Sequence, residues 1–167
     1  QAARLPANRG RVFQGLKKVG TFEMEGSAAR ELLKLPNPNG RPNADVLRPW
    51  WNGLDVARRD RDMWIIDFGA NTPAQEAALY ERPFAHVVEF VKPARDTNND
   101  ASRRKNWWRF GRSGADVRAA LEGLPRYITT PEVSKHRVFV WANAAISPDS
   151  KLMVIARDDD AMFGDLS

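Results

Sequence analysis

Met63-Trp64-Ile65-Ile66-Asp67-Phe68, closed by Gly69, is the stretch that most restricts the fold. A short, continuous apolar run bounded by glycine is the pattern of a β-strand covered on both faces, so the chain must supply packed layers above and below it. With 167 residues it is long enough to build such a core without disulfides or a structural metal, and one compact domain is the default expectation. Cysteine is absent, which removes thiolate nucleophiles and the common zinc sites together.

Candidate helices lie on either side of this run in sequence. Gly26-Ser27 offers a cap for a helix from Ala28 to Lys34, with Ala29, Leu32 and Leu33 on one face and Pro36 as its stop. Thr72-Pro73-Ala74-Gln75 combines an N-cap, a proline at the first helical position and a capping-box glutamine ahead of Ala77, Ala78 and Leu79. After Pro83, the residues Phe84, Val87, Val88 and Val91 recur at i, i+3, i+4 and i+7, with Pro93 as terminator. Ser113 and Asp116 form another capping pair for a helix carrying Val117, Leu121 and Leu124, closed by Gly123 and Pro125.

Further strands are expected at Val12 to Gln14, Tyr127 to Thr129, Arg137 to Trp141 and Leu152 to Ala156. Ser147-Pro148-Asp149-Ser150 reads as the turn of a hairpin joining the last two. Leu35 to Asn43 is almost entirely turn residues and reads as a shaped surface loop, with order resuming at Val46 and Leu47. There is no strict βαβ rhythm and no internal repeat, so these elements describe an α+β domain with a mixed β-sheet and flanking helices.

The net charge of +5 and sequence pI of about 9.9 favour a polyanionic partner. No apolar run approaches the roughly 20 residues that span a bilayer, and no signal-peptide h-region opens the chain, so it reads as soluble and cytoplasmic. The cations are concentrated: residues 95–113 carry Arg95, Arg103, Arg104, Lys105, Arg109 and Arg112, interleaved with Trp107, Trp108 and Phe110. Arginine and lysine neutralise phosphates and tryptophan stacks on bases or sugars. The competing reading puts the tryptophans in the core beside solvated arginines.

Groups that would assemble a catalytic centre are sparse. His86 and His136 have neither metal-cluster nor triad spacing and read as structural or binding residues. Three adjacent aspartates, Asp158-Asp159-Asp160, suit a solvated turn or cap better than one cation. Asp67-Phe68-Gly69 imitates a kinase magnesium motif without the rest of that apparatus. Asn37-Pro38-Asn39-Gly40 shares its opening with the Asn-Pro-Pro-aromatic loop of adenine-N6 methyltransferases but lacks the second proline and the aromatic ring. No glycine-rich loop follows a strand to cradle a nucleotide or S-adenosylmethionine.

Phe13-Gln14-Gly15, followed by Asn43-Ala44-Asp45-Val46-Leu47-Arg48-Pro49-Trp50-Trp51-Asn52-Gly53-Leu54-Asp55, resembles the segment after the catalytic domain in MmeI-like DNA methyltransferases, the type IIL restriction-modification enzymes and their relatives. The resemblance continues through Trp64-Ile65-Ile66-Asp67-Phe68, Pro125-Arg126-Tyr127-Ile128, Val133-Ser134-Lys135-His136-Arg137 and Phe163-Gly164-Asp165-Leu166-Ser167. It implies a DNA target recognition domain over residues 11–167. Residues 1–10 would be an extended lead-in from a catalytic domain that lies upstream of Gln1, and a helix would continue past Ser167. No cofactor is implied in this segment; S-adenosylmethionine would be bound by the parent, an adenine-N6 methyltransferase of the bacterial cytoplasm. The implied partners are double-stranded DNA and the methyltransferase domain of the same parent chain, with no membrane.

In that family the base-reading determinants cluster around the motif matching Val133 to Phe139, and many members carry an acidic residue where Lys135 stands here. This departure leaves the recognised base open. Strand alternation would put Lys135, Arg137 and Phe139 on a DNA-reading face and His136, Val138 and Val140 on the other. Lysine and arginine in the major groove most often pair with guanine O6 and N7, and the alternative for Arg137 is a phosphate. Backbone or stacking contacts are expected from Arg41, Arg103, Arg104, Lys105, Trp107, Arg109 and His136, with no catalytic residue and no metal ligand. Two readings of other classes compete: a small metal-dependent nuclease or hydrolase using Asp67, Asp149 and Lys151, and a protein-interaction module docking through Trp50 and Trp51.

Overall fold

The computed structural model describes residues 12–159. The expected lead-in over residues 1–10, the Phe163 to Ser167 motif and Asp160 of the aspartate triplet lie outside the described residues. The chain divides into two compact units. The first is built from described residues 12–16, 51–61 and 114–159, and the second from 17–50 and 62–113.

In the first unit, β1 (Val12–Gln14), β5 (Arg126–Pro131), β6 (Val140–Asn143) and β8 (Leu152–Ile155) form a sheet of order β1-β8-β5-β6. Its neighbours run antiparallel, with Val12 opposite Ile155, Thr129 opposite Val154, and Ile128 opposite Trp141. β5 lies between β6 and β8 and is buried along nearly its whole length. The expected hairpin between the last two strands is therefore not formed. A strand as apolar as Tyr127-Ile128 gains most from neighbours on both edges, and Ser147–Pro148, read as a turn, makes the two-residue strand β7. The short helices α2 (Gly53–Ala57) and α7 (Ala115–Leu121) lie beside β5 and β1.

In the second unit, β2 (Glu23–Glu25), β3 (Leu47–Trp51) and β4 (Met63–Ile66) pair antiparallel with β4 in the middle. Ile65 and Ile66 are fully buried, as the apolar run requires. Around them stand α1 (Gly26–Leu33), α3 (Ala74–Ala77), α4 (Glu81–Phe90), α5 (Lys92–Asp96) and α6 (Ala101–Lys105). The α+β class with flanking helices is observed, with the strands divided between two sheets. No helix among the described residues is long and apolar enough to cross a membrane.

Several helix boundaries differ from the sequence reading. Glu25, not Ser27, holds the N-cap of α1 and makes no side-chain cap bond. The Thr72 hydroxyl donates to the Phe68 carbonyl, so α3 starts after Pro73 without a side-chain cap and lasts one turn. Gly114, left-handed at φ 65°, stands at the N-cap of α7 where Ser113 was expected. Pro93 does not stop the chain but sits in the first turn of α5, where its missing N–H has no helical partner to lose. The α4 stripe buries Val87 and Val91 but leaves Val88 exposed.

The turn-rich segment is a tied loop. Asn37 Nδ2 donates to the Arg41 carbonyl and to Asn43 Oδ1, while Asn37 Oδ1 accepts from the Glu81 amide. Asn43, fully buried, passes its own amide on to the Leu32 carbonyl. Asn37, the first residue of the segment that imitates a methyltransferase loop, thus anchors a structural network.

Candidate nucleic-acid interface

Pro131 ends β5, and β6 does not begin until Val140. The residues between them make an irregular, solvent-facing loop in which Glu132 through Val138 are all exposed, Val133 at 89%. The Glu132 amide donates to the Lys151 carbonyl at 2.8 Å, and the Ser134 hydroxyl donates to the His136 carbonyl. The strand expected from Arg137 therefore starts three residues later, and the period-two argument has no strand to act on. Lys135, His136 and Arg137 stand together on the loop. Phe139 instead packs with Trp141 against buried Ile128 and Ile155, anchoring the loop's end to the core. Its ring is committed to packing, whereas the two cations face solvent.

The basic-aromatic stretch separates into buried and exposed parts. Arg95 is 2% exposed; its Nε donates to the Val19 carbonyl, Nη1 to that of Arg103, and Nη2 to those of Lys18 and Arg109. Burial lowers its pKa from the usual arginine value, with Arg103 adding to the shift. It is a structural cross-link. Arg109 lies over the Trp108 ring at 5.0 Å and is bonded to the Thr72 carbonyl, which Trp108 Nε1 also uses. Trp107 packs on Phe84 at 5.3 Å and carries Lys92 Nζ over its ring. Trp108 is buried and so withdrawn from base stacking, whereas Trp107 is half-buried, with Lys92 over its ring.

α6 does present cations. Asp100 caps it by accepting from the Ser102 and Arg103 amides, and its last turn is Arg103-Arg104-Lys105, where positive charge complements the helix dipole. Arg104 and Lys105 are exposed. Arg103 is partly buried, with Nε 3.9 Å from Asp100 Oδ2, too long for a hydrogen bond. Arg41 is exposed beside a polar cleft of about 430 Å³ that it lines with Arg48, Asp45, Glu76 and Tyr80. Tyr80 donates to Asp45 Oδ2 at 3.1 Å, and burial raises its pKa above the usual phenol value.

A further cationic group escaped the sequence reading. Arg58, Arg59 and Arg61 follow α2 in the first unit and, with Leu54, line a cleft of about 450 Å³. The run Arg58-Arg59-Asp60-Arg61 was its visible signal, overshadowed by the longer basic stretch downstream.

The competing readings meet specific obstacles. Asp67 Oδ1 accepts from the Gly69 amide, and Asp149 Oδ2 from the Lys151 amide, so both carboxylates serve local turns. Among the described residues no group of three or more histidine, cysteine or acidic side chains could hold a metal ion. Trp50 is 2% exposed, which removes half of the proposed tryptophan docking pair. His86 is partly buried on α4 against Phe90, and desolvation lowers its pKa below the usual imidazole value.

The chain matches no protein-family model, and no curated protein matches it in sequence. Its fold is similar to that of a solved structure described as the type IIL restriction-modification enzyme MmeI in complex with DNA, with a TM-score of 0.72 at 13% identity. That similarity covers 99% of this chain and 21% of the other, so the fold described here is shared with about one fifth of the larger enzyme.

Proposed function

We propose that this chain is a sequence-reading DNA-binding segment, the target recognition domain of an adenine-N6 DNA methyltransferase or restriction-modification enzyme. The observation that carries this reading is the exposed Glu132 to Val138 loop, which presents Lys135, His136 and Arg137 together, on a fold shared with part of a DNA-bound restriction-modification enzyme. Lys135 and Arg137 have the donors that guanine O6 and N7 accept, and a mobile-ended side chain on a loop reaches a groove without a strand to aim it. Phe139, packed on the core, fixes the loop's exit and is not itself a reader. Arg104 and Lys105 at the end of α6, and Arg41 on the turn-rich loop, are backbone contacts, since exposed cations away from the reading loop position a duplex without reading it. S-adenosylmethionine and the methyl transfer belong to the parent's methyltransferase domain.

The test is a charge reversal at the loop. Lys135→Glu replaces a donor by an acceptor, which disfavours guanine and favours an amino-bearing edge such as cytosine N4 by ~1 to 3 kcal/mol at one position. Duplexes selected from a randomised pool by the unsubstituted and K135E chains, and the motif methylated by the parent carrying each, should differ at a single base pair. An identical motif at equal occupancy would show that this loop does not read DNA.

A further inference from the structure

We propose that the Arg58–Arg61 turn after α2 is a phosphate clamp that grips the DNA backbone next to the reading loop, an inference that rests on the DNA-binding reading above. The turn is rigidly built. Asn52 and Asp55 form a capping box in which Asn52 Oδ1 accepts from the Leu54 amide and Asp55 Oδ2 from the Asn52 amide. The Asp55 side chain is fully buried, and its Oδ1 also accepts from the Arg61 amide at 2.8 Å. Arg61 Nε and Nη2 then close a two-point ion pair on the same carboxylate at 3.2 and 3.3 Å. One carboxylate thereby fixes the start of α2 and the residue four places past its end.

Arg61 is neutralised by this pairing, whereas Arg58 and Arg59 lie on the solvent side of the turn, and neither is ion-paired among the described residues. Arg58 and Arg59 line the cleft together with Arg61 and with Leu54, which is 49% exposed. Two planar cations beside a small apolar surface suit a phosphodiester next to its sugar: the forks bond phosphate oxygens and the leucine covers deoxyribose. The position is what ties the turn to DNA in preference to an acidic protein. Gly53, the first residue of α2, abuts Pro131, where a Cβ on the glycine would stand 3.9 Å from the proline Cβ. Pro131 is the last residue of β5, from which the Lys135–Arg137 loop departs. Reading loop and cationic turn therefore root at one point of the first unit, and a duplex engaged by the loop meets the clamp within the same unit.

The experiment measures binding of the chain to a mixed-sequence duplex by fluorescence anisotropy across a salt series, comparing it with Arg58→Gln/Arg59→Gln and with Arg58→Lys/Arg59→Lys. Each lost phosphate contact flattens the slope of log affinity against log salt by ~0.9. The glutamine pair should flatten it by between one and two such steps and weaken all duplexes alike, while the lysine pair retains the slope. Arginine side-chain Nε–Hε resonances at 58 and 59, followed by NMR as duplex is added to the unsubstituted chain, should move, which reports on the clamp even if a variant misfolds. Duplex binding with an unchanged slope and unmoved resonances overturns the clamp alone. A selected motif altered by the glutamine pair also overturns it, since a clamp does not read sequence. Absence of duplex binding by the unsubstituted chain overturns the DNA reading and the clamp with it.

Discussion

Replacing Arg95 by methionine tests whether the most basic stretch of this sequence is held together from within. Methionine retains much of the stem's volume, so the substitution removes the guanidinium's bonds more than its packing. Four carbonyl oxygens lose a donor: those of Lys18, Val19, Arg103 and Arg109. The Lys18 carbonyl keeps a second partner in the Gly111 amide, which leaves three to be reckoned as orphaned. A buried polar group without a partner costs about 1 to 3 kcal/mol. Set against this is the desolvation that the buried cation no longer suffers, a few kcal/mol in the opposite direction. Three such groups cost about 3 to 9 kcal/mol together, and with the desolvation relief set against them the net expectation is a destabilisation of about 1 to 6 kcal/mol, a sizeable share of the about 5 to 15 kcal/mol that holds a typical domain together. Urea unfolding followed by tryptophan fluorescence reads it directly, because Trp107 and Trp108 lie in the same unit. Arg95→Lys, with three donors in place of the fork, should fall between the two. A loss below about 1 kcal/mol for the methionine variant would refute the argument, since it would mean that the carbonyls are not dependent on this side chain.

Gly15→Ala should destabilise the first unit by about 1 to 3 kcal/mol in thermal melts, because a Cβ there would meet the Asp149 carbonyl oxygen at 2.0 Å and backbone cannot step aside as a side chain can; an unchanged melting temperature would contradict this packing. His86 is depressed chiefly by burial, against the opposing effects of backbone bonds at Thr21 and Glu23 and of the Glu89 and Glu23 charges. Its unfolded form therefore takes up a proton first as pH falls below about 6.5, and stability is lost from there until pH drops below the folded value. His86→Gln should flatten that part of the stability–pH curve, and an identical slope in both proteins would assign the acid sensitivity elsewhere.

The legible parts of this fold were those whose causes are close together in sequence. The Met63 to Ile66 strand and the Val87 and Val91 stripe follow from local periodicity, and Ile65, Ile66, Val87 and Val91 are buried while Met63 and Trp64 are half-buried. Caps failed where a distant or unexpected acceptor intervened: nothing in Thr72-Pro73 says that the hydroxyl will prefer the Phe68 carbonyl. Arg95 looked like one more nucleic-acid cation because its partners arrive from residues 18, 19, 103 and 109, which no spacing rule brings together. In the candidate site, the Lys135 and Arg137 region was marked by resemblance and is indeed exposed, but Phe139 was assigned by an alternation that needs a strand, and its burial against Ile128 and Ile155 could not be seen without the sheet. The Arg58–Arg61 turn was hidden for a different reason. Its order depends on Asp55, an ordinary acidic residue in sequence whose importance comes only from burial.

β1 and β8 are neighbours in space but come from opposite ends of the described chain. During synthesis the ribosome releases β1 early and β8 late, so the first unit's sheet cannot close until residue 155 has cleared the exit tunnel. The second unit ends at Ser113, so all of its residues are released before the first unit is complete, and it can begin to fold first, as an insertion within an unfinished partner. In the interval, β1 and then β5 wait with bare edges, the exposed pairing groups that invite other nascent chains. Pausing translation between β5 and β8 should therefore yield a species half native and half adhesive, the kind of client that holding chaperones bind.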